Sequence, residues 1–233
     1  LMKKKILIGI LVIIVIAVVA IGYLVFLDMQ QEEKLKTELT EISDLSNAEN
    51  IDVDTINERL ERTVTNGDYA VVEQSFKEYL KDNFDNIIQI TEILNDEKII
   101  NLLTVDNYKE DGKDFTETKN YITTTKEKLE TCKTKYTEFF TEEKAMSYIN
   151  DKGLDSYYID LYKQEFVGDI ENQNNDNVVE NSIDEIIEIL DVSEEVINFL
   201  SENQNSWQIE GENIVFNSES LSSEYDQLIN KLS

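Results

Sequence analysis

The sequence predicts an all-α fold: a single N-terminal transmembrane helix followed by an antiparallel helical bundle, with a small two-stranded β-hairpin near the C-terminus. Three observations carry this expectation. The 233 residues include no proline and only seven glycines, so helix interiors meet no breaker and short polar turns suffice between them. Apolar residues recur three and four apart in most segments, which is the period of a helix face. Strict alternation occurs only where Trp207 and Ile209 lead through Gly211 to Ile214 and Phe216; that pattern reads as a hairpin. A two-stranded ribbon is marginal alone, so its apolar face is expected against the helices.

The first element is Ile6–Leu27, a run without a charge. As a helix it is about 33 Å long, enough for a hydrocarbon core of roughly 30 Å. Lys3, Lys4 and Lys5 precede it, and no acid lies before Asp28. The positive-inside bias therefore places the N-terminus in the cytoplasm and everything after Leu27 outside. The rival reading is a cleaved signal peptide with Val18-Val19-Ala20 as its cleavage site. Secretory apolar cores run about 7–15 residues, whereas this one is unbroken to Leu27, which favours an uncleaved signal anchor. A lipoprotein would need a cysteine near the segment's end, and a type IV pilin an acid just inside it; neither is present. The chain thus divides into a basic stub over 1–5, the anchor over 6–27 and an acidic extracytoplasmic domain over 28–233.

Beyond the anchor, Asp28–Ser46 is expected to continue the same helix, with Leu35, Leu39, Ile42 and Leu45 in one stripe. Asn47–Asn50 reads as a break. A short helix capped by Asp52 or Asp54 aligns Val53, Ile56, Leu60 and Val64, and Asn66-Gly67 is expected to stop it. Asp68 opens a long helix to about Leu94, bearing Val72, Phe76, Leu80, Phe84 and Ile87. Asn95 or Asp96 starts a short helix with Ile99, Ile100, Leu102 and Leu103, and Asp106–Gly112 is expected to be a loop.

The most regular helix follows. Phe115, Thr118, Ile122, Thr125, Leu129, Cys132, Tyr136 and Phe139 alternate three and four without a slip, a coiled-coil-like heptad seam. Lys119, Lys126 and Lys133 edge one flank, Lys128 and Lys135 the other. Either neighbouring helices supply acids to these lysines, with Glu73, Asp82, Asp85 and Glu92 of the Asp68–Leu94 helix as candidates, or a partner docks along the helix. Thr141 caps a helix through Tyr148 and Ile149 that Gly153 ends.

From Asp155 runs a helix carrying Tyr157, Tyr158, Ile159, Leu161, Tyr162 and Phe166. At 100° per residue they cover roughly 200°, about twice the stripe a surface helix needs. Burial between two neighbours is one outcome; the other exposes Tyr157, Tyr158, Tyr162 and Phe166 as a partner-binding surface. Asn172–Asn177 reads as a polar loop. Helices are expected at Val178–Leu190 and Ser193–Glu202, the second with a Ser-Glu-Glu cap and a Val192 staple. Ser218 or Ser220 opens a last helix with Leu221, Tyr225, Leu228 and Leu232. Ile90–Leu103 and Ile186–Leu200 echo one another, an echo the chain's richness in Ile, Glu and Asn accounts for.

Charge and composition bound the function. After the anchor, 18 basic residues face all 49 acidic ones, a balance of −31. Such a surface repels nucleic acid and anionic headgroups. The chain has no histidine, which removes the commonest general base and zinc ligand. Cys132 is the single cysteine, so no intramolecular disulfide forms, and on the seam it is expected to be a small buried hydrophobe. No Gly-x-Ser-x-Gly, Walker A or Gly-x-Gly-x-x-Gly pattern occurs. Asp106, Glu110, Asp111 and Asp114 fail the EF-hand spacing, and a solvated acidic loop is the expected reading there. No catalytic residue, metal or cofactor is expected. The reading is a single-pass envelope protein whose outer domain binds another protein or holds a structural place. The alternatives are a carboxylate-dependent hydrolase of cell-wall glycan and a weak cation-binding adhesion module.

Overall fold

The computed structural model describes residues 30–46, 52–167 and 178–232. The expected anchor at Ile6–Leu27, the break at Asn47–Asn50 and the loop at Asn172–Asn177 lie outside the described residues. Among the described residues, no helix is long and apolar enough to cross a membrane. The architecture is mostly helical with one two-stranded antiparallel sheet near the C-terminus. In chain order the elements are α1 (Gln31–Ser46), α2 (Val53–Glu61), α3 (Asp68–Leu94), α4 (Glu97–Asn101), α5 (Val105–Asp111) and α6 (Thr116–Phe139). There follow α7 (Glu142–Ser147), α8 (Ser156–Tyr162) continuing into a π-helical turn (Lys163–Val167), α9 (Val178–Glu202), β1 (Trp207–Glu210), β2 (Asn213–Phe216) and α10 (Glu219–Asn230).

Two compact units share these elements. Among the described residues, the first takes those up to Thr91 together with those from Cys132 to Glu180, and the second those of Glu92–Thr131 with those from Asn181 onward.

In the first unit the α1 stripe is buried at Leu35, Leu39 and Ile42. Asp52 caps α2 by accepting from Thr55 N at 3.1 Å, and Ile56 and Leu60 face inward. Val53 is exposed, and Val64 lies past the helix, so two of the four residues expected in that stripe do not join it. The stop also comes earlier than Asn66-Gly67: α2 ends at Glu61, with Arg62 extended. Gly67 instead supplies a left-handed φ of 63° just before α3. Aromatic contacts dominate the rest of this core. Tyr79 stacks on Phe139 with centroids 4.2 Å apart, and its hydroxyl donates to Phe139 O at 2.8 Å. The Asn86 amide donates to Cys132 O at 2.9 Å, tying α3 to the last turns of α6.

The second unit departs from expectation twice. Asp106–Gly112 is not a loop; Val105–Asp111 is helical, capped by the Thr104 hydroxyl on Asn107 N and stopped at Gly112 with φ 77°. The acids there hid one inward residue, Tyr108, whose burial holds the turn in place. Nor does Val178–Glu202 split into two helices: α9 is continuous to Glu202. Ser193, read as a cap, instead donates its hydroxyl to Ile189 O four residues back at 2.8 Å. That bond suits a helix interior, and Val192 and Val196 are buried on either side of it. The echo between Ile90–Leu103 and Ile186–Leu200 is therefore not structural, since the first copy breaks at Asp96 and the second does not.

All eight seam residues, Phe115 to Phe139, are buried. For Lys126 the acids come from α9 rather than α3. Lys126 pairs with Asp191 and with Glu194, the latter at 3.0 Å, and Lys119 donates to Ser201 Oγ at 2.9 Å. The α3 acids are used elsewhere: Glu73 meets Lys77, Asp85 meets Lys81 and Asp82 meets Lys144.

The hairpin pairs Trp207 with Phe216 and Ile209 with Ile214, which puts the four apolar side chains on one face. Gly211 turns the chain at φ 65°. Trp207 is buried, its indole N–H donates to Leu200 O at 2.8 Å, and its ring stacks on Phe115. Lys113 also lies over the ring, with Nζ 4.4 Å from its centroid and 2.7 Å from Trp207 O. The ribbon is thus held onto helices, as its length requires. Leu129→Ala is expected to lower stability by about 2–5 kcal/mol through a core cavity. Lys128→Ala, one residue away and exposed, is expected to change it by less than about 0.5 kcal/mol. Urea unfolding of the two variants checks the contrast.

Candidate functional site

The aromatic helix divides its residues between core and surface. Asp155 occupies the N-cap position of α8 without a side-chain cap bond. The next turn presents Tyr157, 50% exposed, and Tyr158, half-buried. Tyr162 is not on that surface. It is fully buried, its hydroxyl donates to Ala145 O at 3.0 Å, and its ring lies edge-on to Phe76. Phe166 falls in the π-helical turn, and its side chain lies outside the described ones. The wide arc is therefore split, with Tyr162 serving the core, Tyr158 half-buried and Tyr157 facing outward.

A third ring joins them from a distant part of the sequence. Tyr69, in the first turn of α3, meets Tyr158 edge to face at 5.3 Å, and Tyr158 meets Tyr157 the same way at 5.2 Å. Edge-to-face pairs of this kind add about 0.5–1.5 kcal/mol beyond area burial, enough to hold the rings in a fixed order. Tyr69 could not be assigned to this face from spacing along α8, because it arrives by tertiary packing alone.

The strongest electrostatic feature lies elsewhere in the same unit and is closed. Glu38 of α1, Glu73 and Lys77 of α3 are all buried. Lys77 Nζ lies 3.0 Å from Glu38 Oε1 and 2.9 Å from Glu73 Oε1, and donates to Arg59 O and Arg62 O at 2.8 and 3.0 Å. The chain's two arginines, Arg59 and Arg62, both bond the Glu38 carboxylate, and both reach Glu41. Glu73 accepts from Val64 N, Thr65 N and Thr65 Oγ1. Three acids thus face three bases, and the extended segment between α2 and α3 hangs its backbone on Glu73. Burial pushes both buried carboxyls up, but the bonds from Arg62 and Lys77 to Glu38, and from Lys77 and Thr65 to Glu73, outweigh it. Both groups sit below the ordinary glutamate value. A general acid needs the opposite shift, so this cluster reads as structural.

The remaining candidates are likewise satisfied. Cys132 is buried, its thiol donates to Gln89 Oε1 at 3.3 Å, and burial pushes its pKa up, away from a reactive thiolate. Asp111 accepts from Glu117 N and Thr118 N at 3.0 and 2.8 Å, acting on the first turn of α6 rather than on a cation. Among the described residues no group of three or more His, Cys, Asp or Glu side chains is placed to hold a metal ion.

Comparison with known proteins finds no match: no family model fits the chain, and no curated protein or solved structure matches it.

The buried network generates a pH dependence. A carboxyl depressed in the folded state stabilises fully above its unfolded value of about 4.3 and loses that contribution as pH falls through the folded value. Glu73→Gln removes a charge from beside buried Lys77 and is expected to cost about 3–5 kcal/mol at neutral pH. Its stability curve should also fall less steeply below about pH 4 than the parent's. Urea unfolding across pH 2.5–7 measures both effects.

Proposed function

We propose that this chain is a single-pass membrane protein whose acidic helical part lies outside the membrane and binds another protein through Tyr157 and Tyr158. The observation that carries the binding reading is the exposure of Tyr157 on an ordered, edge-to-face set of rings. Tyrosine supplies a large amphipathic contact area at low cost in side-chain entropy, which is why it concentrates in interface hot spots. A core requirement does not explain Tyr157, since Tyr162 on the same helix fills the core position. The apolar run Ile6–Leu27 and the lysines before it support the tether and its direction. The acidic balance beyond it disfavours close approach to anionic headgroups and leaves the tyrosine face turned toward other partners.

Protease added to intact cells is expected to remove the part of the chain beyond Asp28 while leaving a short membrane-embedded N-terminal fragment. Full protection of that part in intact cells, with cleavage only after lysis, would reverse the orientation.

A further inference from the structure

We propose that the Tyr157–Tyr158–Tyr69 face receives a Lys/Arg-rich polypeptide segment. The inference rests on the preceding reading that this face binds a protein, and it names the partner's chemistry. Its basis is the charge left over around the rings. Asp155 precedes Tyr157 by two residues, Asp160 lies one turn beyond it on the same side of α8, and Asp151 stands in the preceding loop. All three are exposed, and none has an ion pair or side-chain hydrogen bond among the described residues. Asp68, also exposed, adjoins Tyr69.

The lysines of the same segment are already neutralised. Lys152 pairs with Glu78 at 3.1 Å and Lys163 with Glu142. The face therefore combines aromatic rings with carboxylates that hold no ion pair among the described residues, Asp160 feeling Lys163 only at longer range. The negative faces of tyrosine rings attract ammonium and guanidinium groups, and carboxylates beside them add Coulomb attraction and orientation. The wider field acts in the same sense, since a chain of net charge −28 steers cationic partners inward and repels anionic ones.

The test uses the full chain in detergent micelles, with a fluorescein-labelled peptide of alternating arginine and serine followed by anisotropy. Saturable binding is expected. Tyr157→Ala should weaken it by about two- to fivefold, and Tyr157→Phe, which keeps the ring, should restore it. Asp155→Asn combined with Asp160→Asn should weaken binding and reduce its salt dependence. Glu210→Gln with Glu212→Gln, in the hairpin of the other unit, should leave it unchanged. Asp155 makes no cap bond, so the aspartate variants should keep the parent's melting temperature, and Tyr157→Ala, which gives up one edge-to-face contact, should lower it by only about a few degrees.

Absence of peptide binding overturns the inference. So does an equal loss from the hairpin variants, which would reveal bulk charge alone, or displacement of the peptide by a neutral soluble glycan, which would make the rings a sugar platform. A photo-crosslinking phenylalanine derivative in place of Tyr157, used in intact cells, separates this inference from the reading beneath it. Adducts within a basic segment of another protein support both. Adducts within a segment lacking Lys and Arg overturn the cationic partner and leave protein binding standing, whereas no protein adduct overturns both.

Discussion

Lys77 sits at the centre of the first unit with its ammonium group wholly withdrawn from water, and the helices around it are arranged to make that tolerable. An isolated buried ammonium costs many kcal/mol. Here it is met by two carboxylates from different helices and by two backbone carbonyls at the end of α2. Each partner brings its own segment into register: Glu38 places α1, the carbonyls of Arg59 and Arg62 place α2, and Glu73 places the extended connection. Buried ionic networks contribute little net stability compared with a well-packed apolar core. What this one contributes is position, since any slip of α1 or α2 along α3 leaves a charge buried and unpaired.

The second unit solves its packing differently. Its fixed point is Trp207, held by a hydrogen bond to the end of α9, a stacked Phe115 and an overlying Lys113. Phe115 itself adopts a left-handed φ of 52°, unusual for a bulky residue, and such a conformation persists only where surrounding contacts impose it. Tyr108 and Trp207 do so from two sides. Ion pairs here, as between Lys126 and α9, lie at the margin of the core and select a neighbour more than they hold it.

Against these closed arrangements the tyrosine face stands apart. Glu38, Glu73, Lys77, Tyr162 and Trp207 are buried with internal partners, whereas Tyr157 and the aspartates near it are exposed. A helix that needed only to pack would spend its aromatic positions on one side. Helix α8 uses Tyr162 that way, half-buries Tyr158 against Tyr69 and leaves Tyr157 half exposed.

Spacing along the chain determined a great deal. The seam from Phe115 to Phe139, the stripes of α1 and α3, the cap at Thr141, caps narrowed to Asp52 or Asp54 and to Asn95 or Asp96, and the hairpin itself all follow from local periodicity and local hydrogen bonding. These depend on neighbours within a few residues, so the information is present in any short window. The α5 helix and the continuity of α9 escaped because a polar surface masked a single buried Tyr108, and because a serine that can cap can equally bond back within a helix. Tertiary structure alone decided the rest. Nothing local tells Glu38 from the other acids of α1, draws both arginines to it, or sets Tyr69 against Tyr158. Those pairings join residues dozens of positions apart, and their energies exist only once packing has removed the water between them.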